Sequence, residues 1–204
     1  METTEKSYYH SLYEAAAALN SARAHEDILH TIVERVAKTV GVKGCSLMLL
    51  SPDRKLLLHT VAYGLSDWYV RKGPVSADKI ISEGLGGRAV FVLDATTDER
   101  AQYREQAKKE GIASVLSVPV KLREEVIGLL RVYTARPHHF TDDEIYFAEA
   151  IANLGAIALE NGRLYEASQK EYEAFRLDML EWRAALGHEW LVEKSVVPPE
   201  EETG

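Results

Sequence analysis

The sequence predicts an α+β protein built on a largely antiparallel sheet, and three observations lead there. Helical periodicity is confined to the two ends of the chain, before residue 41 and after residue 141. Short apolar runs separated by turn residues occupy 43–63 and 114–134, a strand texture. Between them, 64–111 is irregular, rich in glycine and charge. Terminal helices are therefore expected on one face of the sheet. The irregular segment is expected to roof the other, the setting in which small-molecule pockets form.

Residues 7–22 place Tyr8, Leu12, Ala15, Leu19 and Ala22 at spacings of 4, 3, 4 and 3, the narrow stripe of an Ala-rich helix. A broader face follows over 26–40 from Ile28, Leu29, Ile32, Val33, Val36, Ala37 and Val40. Glu26 and Asp27 complement the dipole of its first turn, and Gly41 ends it. Lys43–Leu50 and Lys55–Tyr63 flank the turn Ser51-Pro-Asp-Arg, a hairpin pattern stopped by Gly64. The roof segment suggests a helical turn near 78–83, a short strand at Ala89–Leu93 and a charged helix at Glu99–Glu110 closed by Gly111. Two longer strands, Ser114–Val120 and Glu125–Thr134, are joined tightly at Leu122–Glu124.

Thr141-Asp-Asp-Glu144 is a capping box, and the helix it starts meets no breaker stronger than Gly155 and Gly162 before Gly187. From Tyr172 through Phe175, Met179, Trp182 and Leu186 the spacing is 3, 4, 3 and 4, a coiled-coil seam. Pro198-Pro199 and the closing glutamates read as a disordered tail. The expected organisation is an N-terminal dimerisation helix at 1–22, a domain at 23–165, a coiled-coil-like helix at 166–190 and the tail at 191–204.

The 204 residues carry 24 Lys+Arg against 32 Asp+Glu, a net charge of −8. That balance argues against nucleic acid or an anionic membrane as the main partner. No uncharged stretch nears the roughly 18 residues of a membrane span, and the acidic N-terminus does not read as a secretory signal. Cys45 is the one cysteine, which excludes an internal disulfide framework and a Cys-based zinc site; a cytoplasmic location is expected.

The histidines at 10, 25, 30, 59, 138, 139 and 188 make no His-x-x-x-His or Glu-x-x-His pair, so no metal site is expected. No Gly-x-Ser-x-Gly elbow occurs, and Cys45, alternating with Leu47 and Leu49, reads as an inert buried thiol; no catalytic residue is nominated. Gly84-Leu-Gly-Gly-Arg-Ala has the letters of a dinucleotide fingerprint in the wrong context. Polar Ser76–Glu83 precedes it and a strand-like run follows, so these glycines read as turn formers.

Arg131 stands out inside an apolar strand. It shares a face with Ile127, Leu129 and Tyr133, while Val126, Gly128, Leu130 and Val132 form the face expected against helices, Gly128 permitting close approach. A guanidinium on the roofed face needs an acid, carbonyls or an anionic ligand. Asp94 and Asp98 are the candidate ion-pair partners; snorkelling to the rim and contact with a ligand are the alternatives.

With these segments in place, the chain resembles the GAF family of small-molecule sensor domains over about residues 23–165. The marks are the helix Asp27–Val40, the strand pair Cys45–Leu50 and Leu56–Tyr63, and Glu83-Gly-Leu-Gly-Gly-Arg-Ala-Val. Asp94 with Asp98, Gly111-Ile-Ala-Ser-Val-Leu-Ser-Val-Pro-Val and Val126-Ile-Gly-Leu-Leu-Arg-Val-Tyr follow. Phe140-Thr-Asp-Asp-Glu and the helix ending Ala158-Leu-Glu-Asn-Gly-Arg-Leu-Tyr close the match.

The resemblance implies a central antiparallel sheet with terminal helices on one face, a ligand pocket on the other, and dimerisation through those helices. Cyclic-nucleotide-binding members carry an Asn-Lys pair ahead of a Phe…Asp-Glu element; Phe140, Asp143 and Glu144 are here, but Tyr133–His139 has no Asn-Lys. Bilin-binding relatives attach their chromophore to a cysteine near the pocket helix, and Glu99–Glu110 has none. Methionine-sulfoxide-reducing members use several cysteines where this chain has Cys45 alone.

Strand parity and position nominate Tyr63, Trp68, Asp94, Tyr103, Ser117, Arg131 and Tyr133 as ligand-binding, Arg131 anchoring an anionic group and the aromatics walling the cavity. The expected function is a non-enzymatic, dimeric sensor that binds a small polar metabolite and relays through its terminal helices to a partner. The alternative is a ligand-free dimerisation scaffold whose pocket is filled by its own side chains. The 165–186 helix, with Phe175, Met179 and Trp182, is either the homodimer seam or a docking surface for a signalling protein. The residues name neither a cofactor nor the metabolite.

Overall fold

The computed structural model describes the backbone of residues 2–21, 25–76 and 87–193, and the side chains of 6–21, 26–76 and 87–184. Two helices open it, α1 (Glu2–Leu19) and α2 (His25–Val40), followed by strands β1 (Gly44–Leu50) and β2 (Leu56–Tyr63). A short helix α3 (Asp67–Val70) and strands β3 (Val75–Ser76) and β4 (Val90–Val92) come next. Helix α4 (Arg104–Glu110), strands β5 (Val115–Leu122) and β6 (Glu125–Tyr133), and the long helix α5 (Asp142–Glu193) complete the order. The strands form one six-stranded sheet in the order β3-β2-β1-β6-β5-β4, antiparallel throughout. The chain divides into two compact units, Met1–Asn161 and Gly162–Gly204.

One face of the sheet builds the main core. Ile28, Leu29, Ile32, Val33, Val36 and Ala37 of α2 recur at helical spacing and are all buried, as the periodicity predicts. They meet Cys45 and Leu47 of β1, Leu116, Val118 and Val120 of β5, and Leu130 and Val132 of β6. Helix α5 adds Phe147, Ala148, Ile151 and Ala152, and Tyr8 of α1 stacks on Phe147 with ring centroids 4.8 Å apart. Each large side chain so buried stabilises the fold by about 1.5–3 kcal/mol relative to exposure. Cys45 lies wholly within this layer, where burial pushes its thiol pKa up and keeps it an inert thiol. The α1 stripe (Tyr8, Leu12, Ala15 and Leu19) packs on the same core; Ala22 of that stripe lies outside the described residues.

Two irregularities change which side chains face which way. Leu47 pairs with Val61 but Met48 pairs with His59, so Thr60 is an extra residue on β2. Val120 pairs with Gly128 but Lys121 pairs with Val126, so Ile127 is extra on β6. Beyond each bulge the alternation inverts, and Ile127 packs with the helix-side core instead of sharing the face of Arg131. Gly128 does permit a close approach, but to β1: an added Cβ would stand 2.2 Å from the Met48 carbonyl oxygen.

The start of α5 is the capping box expected. The Thr141 N–H donates to Glu144 Oε2 at 2.8 Å, and the Glu144 N–H donates to Thr141 Oγ1 at 3.3 Å. Helix α5 runs on through Gly155, Gly162 and Gly187. Within 162–184, Tyr172, Phe175, Met179 and Trp182 are exposed, while the side chain of Leu186 lies outside the described residues. Among the described residues no helix is long and apolar enough to cross a membrane.

The roof contains more order than the sequence suggests, since α3 and β3 fall inside the segment read as irregular. Helix α4 begins at Arg104, not at Glu99, because Asp98 takes the local backbone for itself: its carboxylate accepts the Arg100 N–H at 2.8 Å and pairs with the Arg100 guanidinium. Gly111 closes α4 at φ 72°, the left-handed cap position that glycine adopts freely. The helical turn expected near 78–83, the glycines at 84 and 86, and the tail from 194 lie outside the described residues.

Candidate functional site

Strand β6 is central, so a side chain on its roofed face is surrounded on all sides. Arg131 stands there between Ser46 of β1 and Ser117 of β5, its direct cross-strand neighbours, and only 8% of it is exposed. Two residues on, Tyr133 is fully buried and its hydroxyl lies 3.0 Å from Ser46 Oγ. Met48, Leu57, Val75 and Leu129 make the apolar floor beside them.

The roof is pinned from the side. Glu110, at the end of α4, accepts the Ser66 N–H at 2.8 Å and the Ser66 hydroxyl, which fixes the start of α3. That placement directs Tyr69 inward, 4% exposed and edge-on to Tyr133 at 6.2 Å. Lys72 follows, with Nζ 3.8 Å from the centroid of the Tyr69 ring. Tyr103 leans in ahead of α4 and donates its hydroxyl hydrogen to the Pro74 carbonyl at 2.8 Å. Tyr69, Lys72, Tyr103 and Arg131 line a cavity of about 20 Å³, room for one water-sized group.

The polar groups converging here are nearly all donors. Lys72 Nζ donates to the Tyr69 carbonyl at 3.0 Å and lies 3.2 Å from His59 Nε2. With the ammonium as donor, Nε2 of His59 is the acceptor and Nδ1 carries the ring hydrogen. That Nδ1 is buried without a hydrogen-bond partner, and so is Arg131 Nε. Among the described residues Arg131 makes no hydrogen bond or ion pair; its guanidinium carbon sits 5.7 Å from the Tyr133 ring centroid. Each orphaned buried donor costs roughly 1–3 kcal/mol, more where it carries charge.

The titration behaviour follows from this crowding. Burial first, then the charges of Lys72 and Arg131, lowers His59 to about 3, so the ring is neutral at pH 7. Burial and Arg131 lower Lys72 to about 8, Glu110 opposing them. Burial raises both Tyr69 and Tyr133 above the ordinary tyrosine value. At neutral pH the cavity is therefore lined by two cations and neutral phenols, with the neutral imidazole of His59 in contact with Lys72.

Of the seven residues nominated from sequence, Arg131, Tyr133 and Tyr103 meet in this site, and Ser117 stands beside Arg131 in the sheet. Three do not. The Thr60 bulge turns Tyr63 to the helix side, where it packs on the main core and edge-on to His30 at 6.2 Å. Trp68 is 39% exposed with Lys109 over its ring at 4.7 Å, its neighbour Tyr69 taking the inward position. Asp94 is exposed and bonded to the Thr96 N–H and hydroxyl at 2.9 and 2.6 Å. Neither Asp94 nor Asp98, which holds Arg100, neutralises Arg131.

Sequence reasoning missed Tyr69, His59 and Lys72. His59 carried a readable signal, since it alternates with Leu57 in β2 on the N-terminal side of the bulge; Lys72 sits in a turn without period and carried none. His138 contacts Glu144 at 3.0 Å, and Phe140 is buried in the core. Among the described residues no three His, Cys, Asp or Glu side chains come together as metal ligands would.

Solved structures share this architecture. A GAF domain of a phosphoenolpyruvate-protein phosphotransferase from Coxiella burnetii matches with a TM-score of 0.70 at 20% identity, over 79% of this chain and 98% of that one. The corresponding domain from Acinetobacter gives 0.62 at 24% identity, over 74% and 92%. The phycocyanobilin-bound GAF domain of a cyanobacterial phytochrome gives 0.63 at 18% identity, over 78% and 96%. No curated protein matches the chain. The GAF domain family model matches residues 24–159, two thirds of the sequence with every strand of the sheet inside it, and the chain belongs to the GAF domain family.

Proposed function

We propose that this chain is a non-enzymatic sensory module that binds a small polar metabolite between the sheet and its roof. It dimerises along the apolar stripe of α5 and relays occupancy to a signalling partner. The observation that carries the reading is Arg131: a nearly buried guanidinium on the central strand, without a hydrogen-bonding partner among the described residues and facing a cavity. GAF domains are sensory, regulatory modules as a family, and the phytochrome domain carries phycocyanobilin. A covalently attached bilin is not proposed here, because Cys45 is buried on the opposite, helix-covered face.

Dimerisation is supported by the exposure of Tyr172, Phe175, Met179 and Trp182 at coiled-coil spacing, four large apolar groups on one narrow stripe. A cytoplasmic setting fits a chain whose single thiol is free and buried.

The second reading, a ligand-free scaffold, draws on the cavity itself. About 20 Å³ remains once Tyr69, Lys72 and Tyr103 have packed in, so the chain's own side chains fill most of the space. Native mass spectrometry of gently purified protein separates the two. A dimer with discrete excess mass supports the sensor; a dimer at bare mass supports the scaffold, and a monomer overturns the dimer.

A further inference from the structure

We propose that the ligand of this pocket is an oxyanion, a carboxylate or a phosphate, held between Arg131 and Lys72. The proposal rests on the small-molecule reading above and deepens it by naming the chemical class.

Three donor side chains from three different elements meet here, and two of them keep a buried nitrogen without a partner among the described residues. Arg131 comes from β6, with its Nε buried and unpartnered. His59 comes from β2, with Nε2 taken by Lys72 at 3.2 Å and Nδ1 buried and unpartnered. Lys72 comes from the turn after α3 and reaches the same cavity as Arg131.

Three acids of the described part of the roof are committed elsewhere. Glu110 is held by Ser66 and lies 3.9 Å from Lys43, Asp98 is paired with Arg100, and Asp94 is bonded to Thr96. A neutral ligand would leave both cations uncompensated in a largely buried site, and a cationic one would be repelled. An oxyanion compensates both cations, and hydrogen bonds between ionised partners are the strong kind.

The shape agrees. Ala95, Ala101 and Ala107 also line the cavity, so part of its wall is made of small side chains. The present volume of about 20 Å³ takes one oxygen. A whole head group needs Tyr103 to yield, and its tie to the Pro74 carbonyl is a single solvent-exposed hydrogen bond.

Isothermal titration calorimetry of the full chain at pH 7 tests this, using inorganic phosphate and succinate against chloride at matched ionic strength. The expected result is binding of one or both oxyanions and none of chloride, the stronger of the two identifying the head group. Arg131→Met and Lys72→Met, checked for a native circular dichroism spectrum, should each weaken that binding tenfold or more. Should Arg131→Met fail to fold, Lys72→Met alone carries the test. Absence of binding by either oxyanion, or unchanged affinity in both variants, overturns the proposal. An uncharged adduct in native mass spectra that persists in Arg131→Met would overturn the anion while leaving the sensor reading standing. Bare mass together with no oxyanion binding would sink both.

Discussion

The two faces of the sheet are made by alternate residues of the same strands, yet they behave as different materials. On β6, Leu130 and Val132 enter an apolar layer against α2 and α5, while Arg131 and Tyr133, one step away, enter a pocket with buried charge. On β5, Leu116 and Val118 flank Ser117 in the same way. On β1, Cys45 and Leu47 flank Ser46. The helix face is satisfied by shape alone. The roofed face holds two buried donor nitrogens, on Arg131 and His59, without partners among the described residues. A strand period of two lets one segment hold the domain together and present chemistry without either role compromising the other.

The comparison breaks most visibly through a pair of adjacent substitutions. Leu130→Ala removes a fully buried side chain from the packed layer and should cost about 2–5 kcal/mol in urea denaturation. Arg131→Met, the next residue, removes an uncompensated buried cation and should leave the free chain more stable by roughly 1–3 kcal/mol. Opposite signs at neighbouring positions are the expected outcome. A loss at Arg131→Met as large as that at Leu130→Ala would mean that the guanidinium is structural and the distinction between the faces is false.

Acid sharpens the same contrast. His59 is held at about 3 in the folded chain against an ordinary value of 6.5, by burial and then by Lys72 and Arg131. Between those two values the unfolded chain binds a proton that the folded chain refuses. Stability therefore falls as pH drops from 6.5 toward 3. In His59→Phe that limb should flatten by up to one proton, a slope change of at most about 1.4 kcal/mol per pH unit in urea midpoints taken from pH 7 to 4. Of the groups around the ring, Lys72, at about 8, and the tyrosines at 69 and 133, raised by burial, keep their charge state in that range. An unchanged acid limb would show that His59 is solvated and outside the pocket.

The helix face was far more legible than the site. Periodicity alone marked Ile28, Ile32, Val36 and their neighbours as core, and Thr141 with Glu144 as a cap, because both patterns are local and repeat. The bulges left no mark, since Thr60 and Ile127 are ordinary strand residues and nothing distinguishes an extra one from a paired one. Tyr63 was misplaced for that reason. An ion pair from Asp94 or Asp98, one of the partners left open for Arg131, does not form because short acidic side chains in loops bond first to their own backbone and nearest neighbours, as Asp94 does with Thr96 and Asp98 with Arg100. Tyr69 was lost because a four-residue helix is too short to show a face.

Trp68 and Tyr69 offer the finest version of the comparison and the smallest expected effect. They are adjacent, both aromatic, and part of one helical turn fixed by the Ser66–Glu110 bond, so sequence alone favours the larger indole as a pocket wall. The backbone direction decides otherwise. Tyr69 meets Tyr133 edge-on inside, and Trp68 lies outside under Lys109, a cation–π contact of the exposed kind worth about 0.5–1 kcal/mol. Trp68→Ala should therefore cost no more than about 1 kcal/mol in thermal or urea unfolding and change succinate or phosphate affinity less than twofold. Tyr69→Ala, which opens the wall between Lys72 and Tyr133, should lower both. Should Trp68→Ala abolish oxyanion binding while Tyr69→Ala does not, the inward face of α3 would be the one the sequence suggested, and the donor cluster would have to be redrawn around the indole.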